Sequence, residues 1–145
     1  MDVRLPDERM VMNWDEVREM SAAGVSFGSH SVSHKILTLV SDAELHDEVY
    51  GSYEELRKRD INTVPVFCYP NGDYSPAVMR CVKDAGYRSA MSTDVGWERA
   101  GSSAAMQLKR LGIHDDLTHT ESLFAFHLAG FNVRSAIRDD AAVRG

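Results

Sequence analysis

Short apolar runs and longer amphipathic stretches take turns along this chain, and their boundaries carry recognisable start and stop signals. Asn13 with Glu16 three residues on has the form of a capping box, in which each residue's side chain bonds the other's backbone N–H. This predicts a helix from Trp14 to about Ala23, with Gly24 free to take the left-handed conformation that ends it. The run VSFGS then suits a buried strand that delivers His30 at its C-terminal end. Ser41 and Glu44 repeat the capping-box pattern. Leu45, Val49 and Leu56 share one stripe with charged residues opposite, so the longest helix is expected to reach Arg59.

The second half repeats the alternation. VFCY, residues 66–69, ends in Pro-Asn-Gly and reads as a strand entering a turn. Ser75-Pro76 opens another helix, with proline at its favoured first position and Gly86 as its stop. Residues 87–91 and 108–113 are expected strands, the second leading into His114. Thr118 with Glu121 predicts a third capping box for a helix through Ala129, closed by Gly130. The resulting order is helix, strand, helix, strand, helix, strand, loop, strand and helix. Such alternation argues for an α/β fold with a parallel sheet. Residues 131–145 read as a polar tail.

Composition narrows the class. With 145 residues, 43% hydrophobic and 26% charged, the chain has the mixture of one globular domain. The net charge of -6 offers no basic stripe for nucleic acid. No apolar run approaches the roughly 18 residues of a membrane span, and no apolar leader follows Met1. A protein starting at Met1 is therefore expected to be cytoplasmic. Cys68 and Cys81 form neither a C-x-x-C pair nor a disulfide framework and are expected to be reduced core residues. The six internal methionines are spaced as core fillers.

The chemistry concentrates in FGSHSVSHKILT. His30 and His34 stand four apart, a spacing that lets two imidazoles share a face and one metal ion if the backbone between them turns. Catalytic zinc normally takes three protein ligands and an open position, so the pair alone is incomplete. The spacing fits a metal pair and a hydrogen-bonded loop pair about equally well. Its place after a buried strand favours the former, because strand C-termini are where α/β folds put ligand chemistry. His46, His119 and His127 are expected to face solvent or to be hydrogen-bonded.

The run WDEVREMSAAGVSFGSHSVSHKILTLVSDAEL is similar to the second motif region of polysaccharide deacetylases, the NodB-homology domain of family 4 carbohydrate esterases. His30-Ser31-Val32-Ser33-His34 matches the family's H-[ST]-x-x-H. FCYPNGDYS resembles its third motif, and AGYRSAMST and LGIHDD follow in the family's order, so the likeness covers about residues 12–130. The resemblance implies a distorted β/α barrel that removes N-acetyl groups from an amino-sugar polysaccharide or oligosaccharide with a divalent metal, usually zinc. It implies His30 and His34 as metal ligands, with the Ser31 hydroxyl holding the loop between them. Tyr69, Pro70 and Asn71 would line the substrate groove, a backbone N–H at Pro70-Asn71 facing the oxyanion. His114 would protonate the departing amine.

Other features depart from the family pattern. Its first motif supplies the catalytic-base aspartate and the third metal ligand, but only thirteen residues precede Trp14, and neither Asp2 nor Asp7 lies in an apolar strand context. Phe67 stands where many members carry arginine. Asp94 and Trp97 echo the family's Asp-Trp motif loosely, and Asp94 would either orient His114 or cap a loop. Residues 1–130 are thus expected to form the C-terminal portion of a deacetylase-like domain, a partial barrel whose leading strands are missing and whose open sheet edge is a site of possible association. The rival expectations are an inactive deacetylase-like module that binds carbohydrate or a partner, and a metal hydrolase of small amides.

Overall fold

The computed structural model describes residues 11–98, 104–114 and 118–130; the tail expected at 131–145 lies outside these. Helix α1 spans Trp14–Ala22, strand β1 Phe27–Ser29, helix α2 Asp42–Lys58 and strand β2 Thr63–Cys68. A 3-10 turn at Pro70–Gly72 leads to α3, Pro76–Asp84, then β3, Ser89–Val95, β4, Leu108–Arg110, and α4, Glu121–Leu128. The strands form one sheet in the order β1-β2-β3-β4, every pairing parallel. The α/β class and the order of elements read from the sequence are both observed.

Local chemistry explains the helix starts. Asn13 and Glu16 exchange both bonds of the capping box, Glu16 N–H donating to Asn13 Oδ1 at 2.9 Å and Asn13 N–H to Glu16 Oε2 at 2.8 Å. Ser41 and Glu44 do the same for α2, and Ser75 caps α3 ahead of Pro76. Gly24, Gly86 and Gly130 follow their helices with positive φ, as the stops require. The last cap is a correction. Thr120, not Thr118, accepts the Leu123 N–H, while the Thr118 hydroxyl donates to the His114 carbonyl at 2.7 Å. Both threonines lie near the helix start.

The Glu44 carboxyl sits low, at about 2, because the Ser41 hydroxyl and backbone N–H donate to it and Lys35 lies 3.2 Å away. A depressed carboxyl stabilises the fold above its unfolded value near 4.5, and that contribution disappears as pH falls through about 2. Amide-exchange protection in the first turn of α2 should therefore hold at pH 5 and fall toward pH 2. Unchanged protection would show that the cap does not depend on the ionised carboxylate.

Strand boundaries moved more than helix boundaries. β2 begins at Thr63 and so contains Pro65, which the expected strand excluded. Proline has no N–H for the ladder, but its carbonyl accepts from Arg88 N–H at 2.8 Å, and the β1–β2 register shifts between Phe27 and Ser29 around it. β3 starts at Ser89 and runs on to Val95, beyond the expected 87–91, while β4 stops at Arg110.

α2 and α3 pack on one face of the sheet. Their Leu45, Val49, Val78 and Val82 meet Phe67, Ala90 and Tyr87 in a core from which water is almost fully excluded. α1 is tied in at the start of β2, where Asn62 donates from its backbone to Ser21 Oγ at 2.7 Å and from its amide to the Ser21 carbonyl at 2.8 Å. Trp14 lies under the Arg59 guanidinium, 4.2 Å from its ring, which settles it on the end of α2. No described helix is long and apolar enough to cross a membrane.

Candidate active site

The face of the sheet opposite α2 and α3 bears a cavity of about 510 Å³. Alternation along the strands brings Val64, Val66 and Cys68 from β2 and Met91 and Thr93 from β3 to this face, with His30 at the end of β1. Among the described residues that line it none is acidic, and Arg110 carries a formal charge.

The end of β1 is held from behind. Ser29 Oγ donates to Ser52 Oγ at 2.7 Å, and Ser52 and Tyr87 reach the Val49 carbonyl within the α2 core. Immediately beyond, His30 Nδ1 lies 2.8 Å from the Cys68 carbonyl. A carbonyl only accepts, so Nδ1 carries a proton and in the neutral ring Nε2 is the atom free to ligate. The His34 ring stands 4.8 Å from that of His30, centroid to centroid, edge to face. Both rings are exposed.

The loop between them is strained and braced. Ser31 and His34 adopt φ of 69° and 60°, in the left-handed region, which costs non-glycine residues about 1–2 kcal/mol each. The Ser31 hydroxyl accepts the His34 N–H at 2.9 Å, the loop-holding contact that the resemblance implied. From α2, Glu48 Oε2 accepts the N–H groups of Val32 at 2.9 Å and Ser33 at 2.8 Å, and Oε1 takes the Ser33 hydroxyl. Burial is the largest influence on the Glu48 carboxyl and pushes its pKa up. The bonds from Ser33 and Val32, with the Lys35 charge, together outweigh it and hold the carboxyl below its ordinary value.

The second rim of the cavity is the turn after β2. Tyr69 is buried, and its hydroxyl donates to the Met106 carbonyl at 2.8 Å; burial, with Tyr74 nearby, drives its pKa far up, so it stays a neutral phenol. Pro70 is buried and Asn71 exposed, with φ of 58° and its amide on Asp73. Tyr69 and Asn71 line the cavity alongside His30. Gly72, at φ +85°, has no room for a side chain: a Cβ there would overlap Thr93 Oγ1 and lie 2.7 Å from Thr93 Cβ. Gly72→Ala should therefore cost about 2–4 kcal/mol, combining left-handed strain with overpacking. Urea denaturation checks this, and a loss below 1 kcal/mol would mean that the turn shifts freely.

His114 does not join the group. It is exposed, its N–H donates to Thr118 Oγ1 at 3.2 Å, and its ring lies against Gly112, outside the residues that line the cavity. Asp94 lies within β3 and accepts the Tyr74 hydroxyl at 3.0 Å and the Ser92 hydroxyl at 2.9 Å. Trp97 is exposed and lines a separate hollow with Phe124 and Leu128. His127 corrects an expectation, since both its ring nitrogens are covered and neither has a hydrogen-bond partner among the described residues. Cys68 and Cys81 are free thiols, half-buried, and burial raises the pKa of each.

Tested as a metal site, the His30–His34 pair fits in part. The rings are adjacent, and the carbonyl bond to Nδ1 is the outer contact that commonly orients a ligating imidazole. Among the described residues no group of three or more His, Cys, Asp or Glu side chains converges there.

Sequence reasoning missed Glu48 and Arg110. Glu48 gave a signal: it shares the buried stripe of α2 with Leu45 and Val49, where a carboxylate persists only if bonded. Arg110 gave none, since its side depends on the register of β4.

The polysaccharide deacetylase family model matches residues 5–90, more than half of the chain, and the protein belongs to that family. Similar folds include the Streptococcus pyogenes deacetylase PplD in complex with acetate, with 25% identity and a TM-score of 0.66 over 73% of this chain and 46% of that one. A polysaccharide deacetylase from Bacillus cereus is 26% identical with a TM-score of 0.70, over 83% of this chain and 38% of that one. A putative polysaccharide deacetylase from Bacillus anthracis is 25% identical with a TM-score of 0.67, over 79% and 35%. The chain thus spans less than half the length of each of these structures. No curated protein matches it.

Proposed function

We propose that residues 1–130 form part of a metal-dependent N-deacetylase acting on an amino-sugar polysaccharide or oligosaccharide, with His30 and His34 as metal ligands. The observation that carries this is the pair of adjacent imidazoles, of which His30 lines the cavity with its Nδ1 tied to the Cys68 carbonyl. A bound divalent ion, zinc by preference for imidazole, supplies Lewis-acid polarisation of the acetamide carbonyl. Around it, Tyr69 and Pro70 shape the wall. Since proline has no N–H, the oxyanion donor from this turn is the Asn71 N–H. His114 serves as the acid toward the departing amine, which requires its ring to leave Gly112 and reach the cavity.

The resemblance assigns the general base and third ligand to a first motif that the described residues do not supply. General-base catalysis is typically worth about 10²- to 10⁴-fold, so the chain by itself should be a slow hydrolase. The test is acetate release from N-acetylated chitooligosaccharides with zinc or cobalt supplied, lost on His30→Ala. No release with either metal rejects the reading.

The lack of a third converging ligand among the described residues favours a second reading, a carbohydrate- or partner-binding module. Glycan binding without turnover, unchanged when both histidines become alanine, would establish it.

A further inference from the structure

We infer that Glu48 is the positioning residue of the histidine pair: from α2 it fixes the loop that sets the two imidazoles side by side. This rests on the metal reading of His30 and His34. The loop 31–33 has no regular secondary structure, and two of its flanking residues, Ser31 and His34, hold left-handed backbone that neither prefers. Such a conformation persists only where the surroundings over-determine it. The Ser31 hydroxyl secures the His34 N–H, one end of the loop. Between the histidines, the Val32 and Ser33 N–H groups and the Ser33 hydroxyl all end on the one Glu48 carboxylate.

The arrangement suits positioning rather than ligation. Glu48 is 6% exposed, both its oxygens are occupied by the loop, and it belongs to no cluster of possible metal-holding groups among the described residues. Val32 itself is 61% exposed, so the loop gains little order from burying its apolar side chain. The carboxylate substitutes for a core beneath the loop. Glu48 also sits between Leu45 and Val49, whose side chains lock α2 to the sheet, so the loop is referenced to the same rigid body as the Cys68 carbonyl that orients His30.

Removal of outer contacts of this kind typically lowers metal affinity by 10- to 100-fold. The experiment measures zinc affinity of the 145-residue chain by competition with a chromophoric chelator, for wild type, Glu48→Ala, Glu48→Gln and Ser33→Ala. Glu48→Ala should bind roughly 10- to 100-fold more weakly, and Glu48→Gln, which keeps one acceptor for the two N–H groups, should recover part of the loss. In parallel, amide exchange of the metal-free chain should show Val32 and Ser33 losing protection in Glu48→Ala while Val49 and Phe67 keep theirs. Should Glu48→Ala fail to fold, Ser33→Ala, which deletes one bond only, carries the test with an expected loss of a few-fold. Folded Glu48→Ala or Ser33→Ala with wild-type zinc affinity overturns the inference. Wild-type chain that binds no zinc instead overturns the metal reading, while the exchange data still report whether Glu48 holds the loop.

Discussion

Phe67→Ala should lower stability by about 3–5 kcal/mol, the range for deleting a fully buried phenylalanine, because the lost transfer energy adds to the cavity left behind. Phe67 has no exposed surface, and its ring meets Tyr69 and Tyr87 edge-on at centroid distances of 5.5 and 5.1 Å. Its other neighbours are rigid parts of α2 and α3, so collapse around the void is limited. Domains commonly hold about 5–15 kcal/mol in total, and the change should be plain in the urea midpoint with the slope unchanged. Phe67→Leu, which conserves most of the volume, should cost under about 1.5 kcal/mol. Phe67→Arg should be worse than alanine, since it buries a charge with no partner. Phe67, where the resemblance aligns an arginine, points here into the helix-covered core, and Arg110 lines the cavity. A loss below 1 kcal/mol in Phe67→Ala would mean that the sheet and helices do not pack as described.

The second large effect concerns metal. Four-ligand structural zinc sites bind with roughly 10–16 kcal/mol, so one ligand is worth roughly 3 kcal/mol, or about 10²-fold in affinity. His30→Ala or His34→Ala should each reduce zinc affinity by that factor, and the double variant should bind no better than surface background. Stability without metal should fall by at most about 1.5 kcal/mol, because both side chains are exposed and the ring bond lost in His30→Ala is the one to the Cys68 carbonyl. Calorimetric titration of the three variants checks both statements. Equal affinity in wild type and the double variant would leave the two rings as an edge-to-face loop pair with no ligating role.

Much of the scaffold was legible in the residues. Asn13, Ser41 and Ser75 announced their helices, since a side-chain oxygen and the N–H it accepts lie within three residues, and such spacing is written directly in the sequence. Glycines at 24, 86 and 130 marked the stops for the same local reason. The strands were harder. The strand expected at 66–69 begins earlier, at Thr63, and takes in Pro65, because the β1–β2 register shifts around the proline and a sequence does not display its pairing partner. Thr118 was the expected cap of α4, and Thr120 is the residue that accepts the Leu123 N–H.

By itself the sequence determined the α/β order, the helix starts and stops, and a histidine pair placed at a strand end. Those features arise from contacts a few residues long. Tertiary structure alone decided that Glu48 braces the histidine loop from fifteen residues away, that Phe67 faces the helices, that Arg110 enters the cavity and that His114 stays outside it. Each of these depends on which strands pair, in what register and on which face, and that is set by the whole fold acting on segments far apart in the chain.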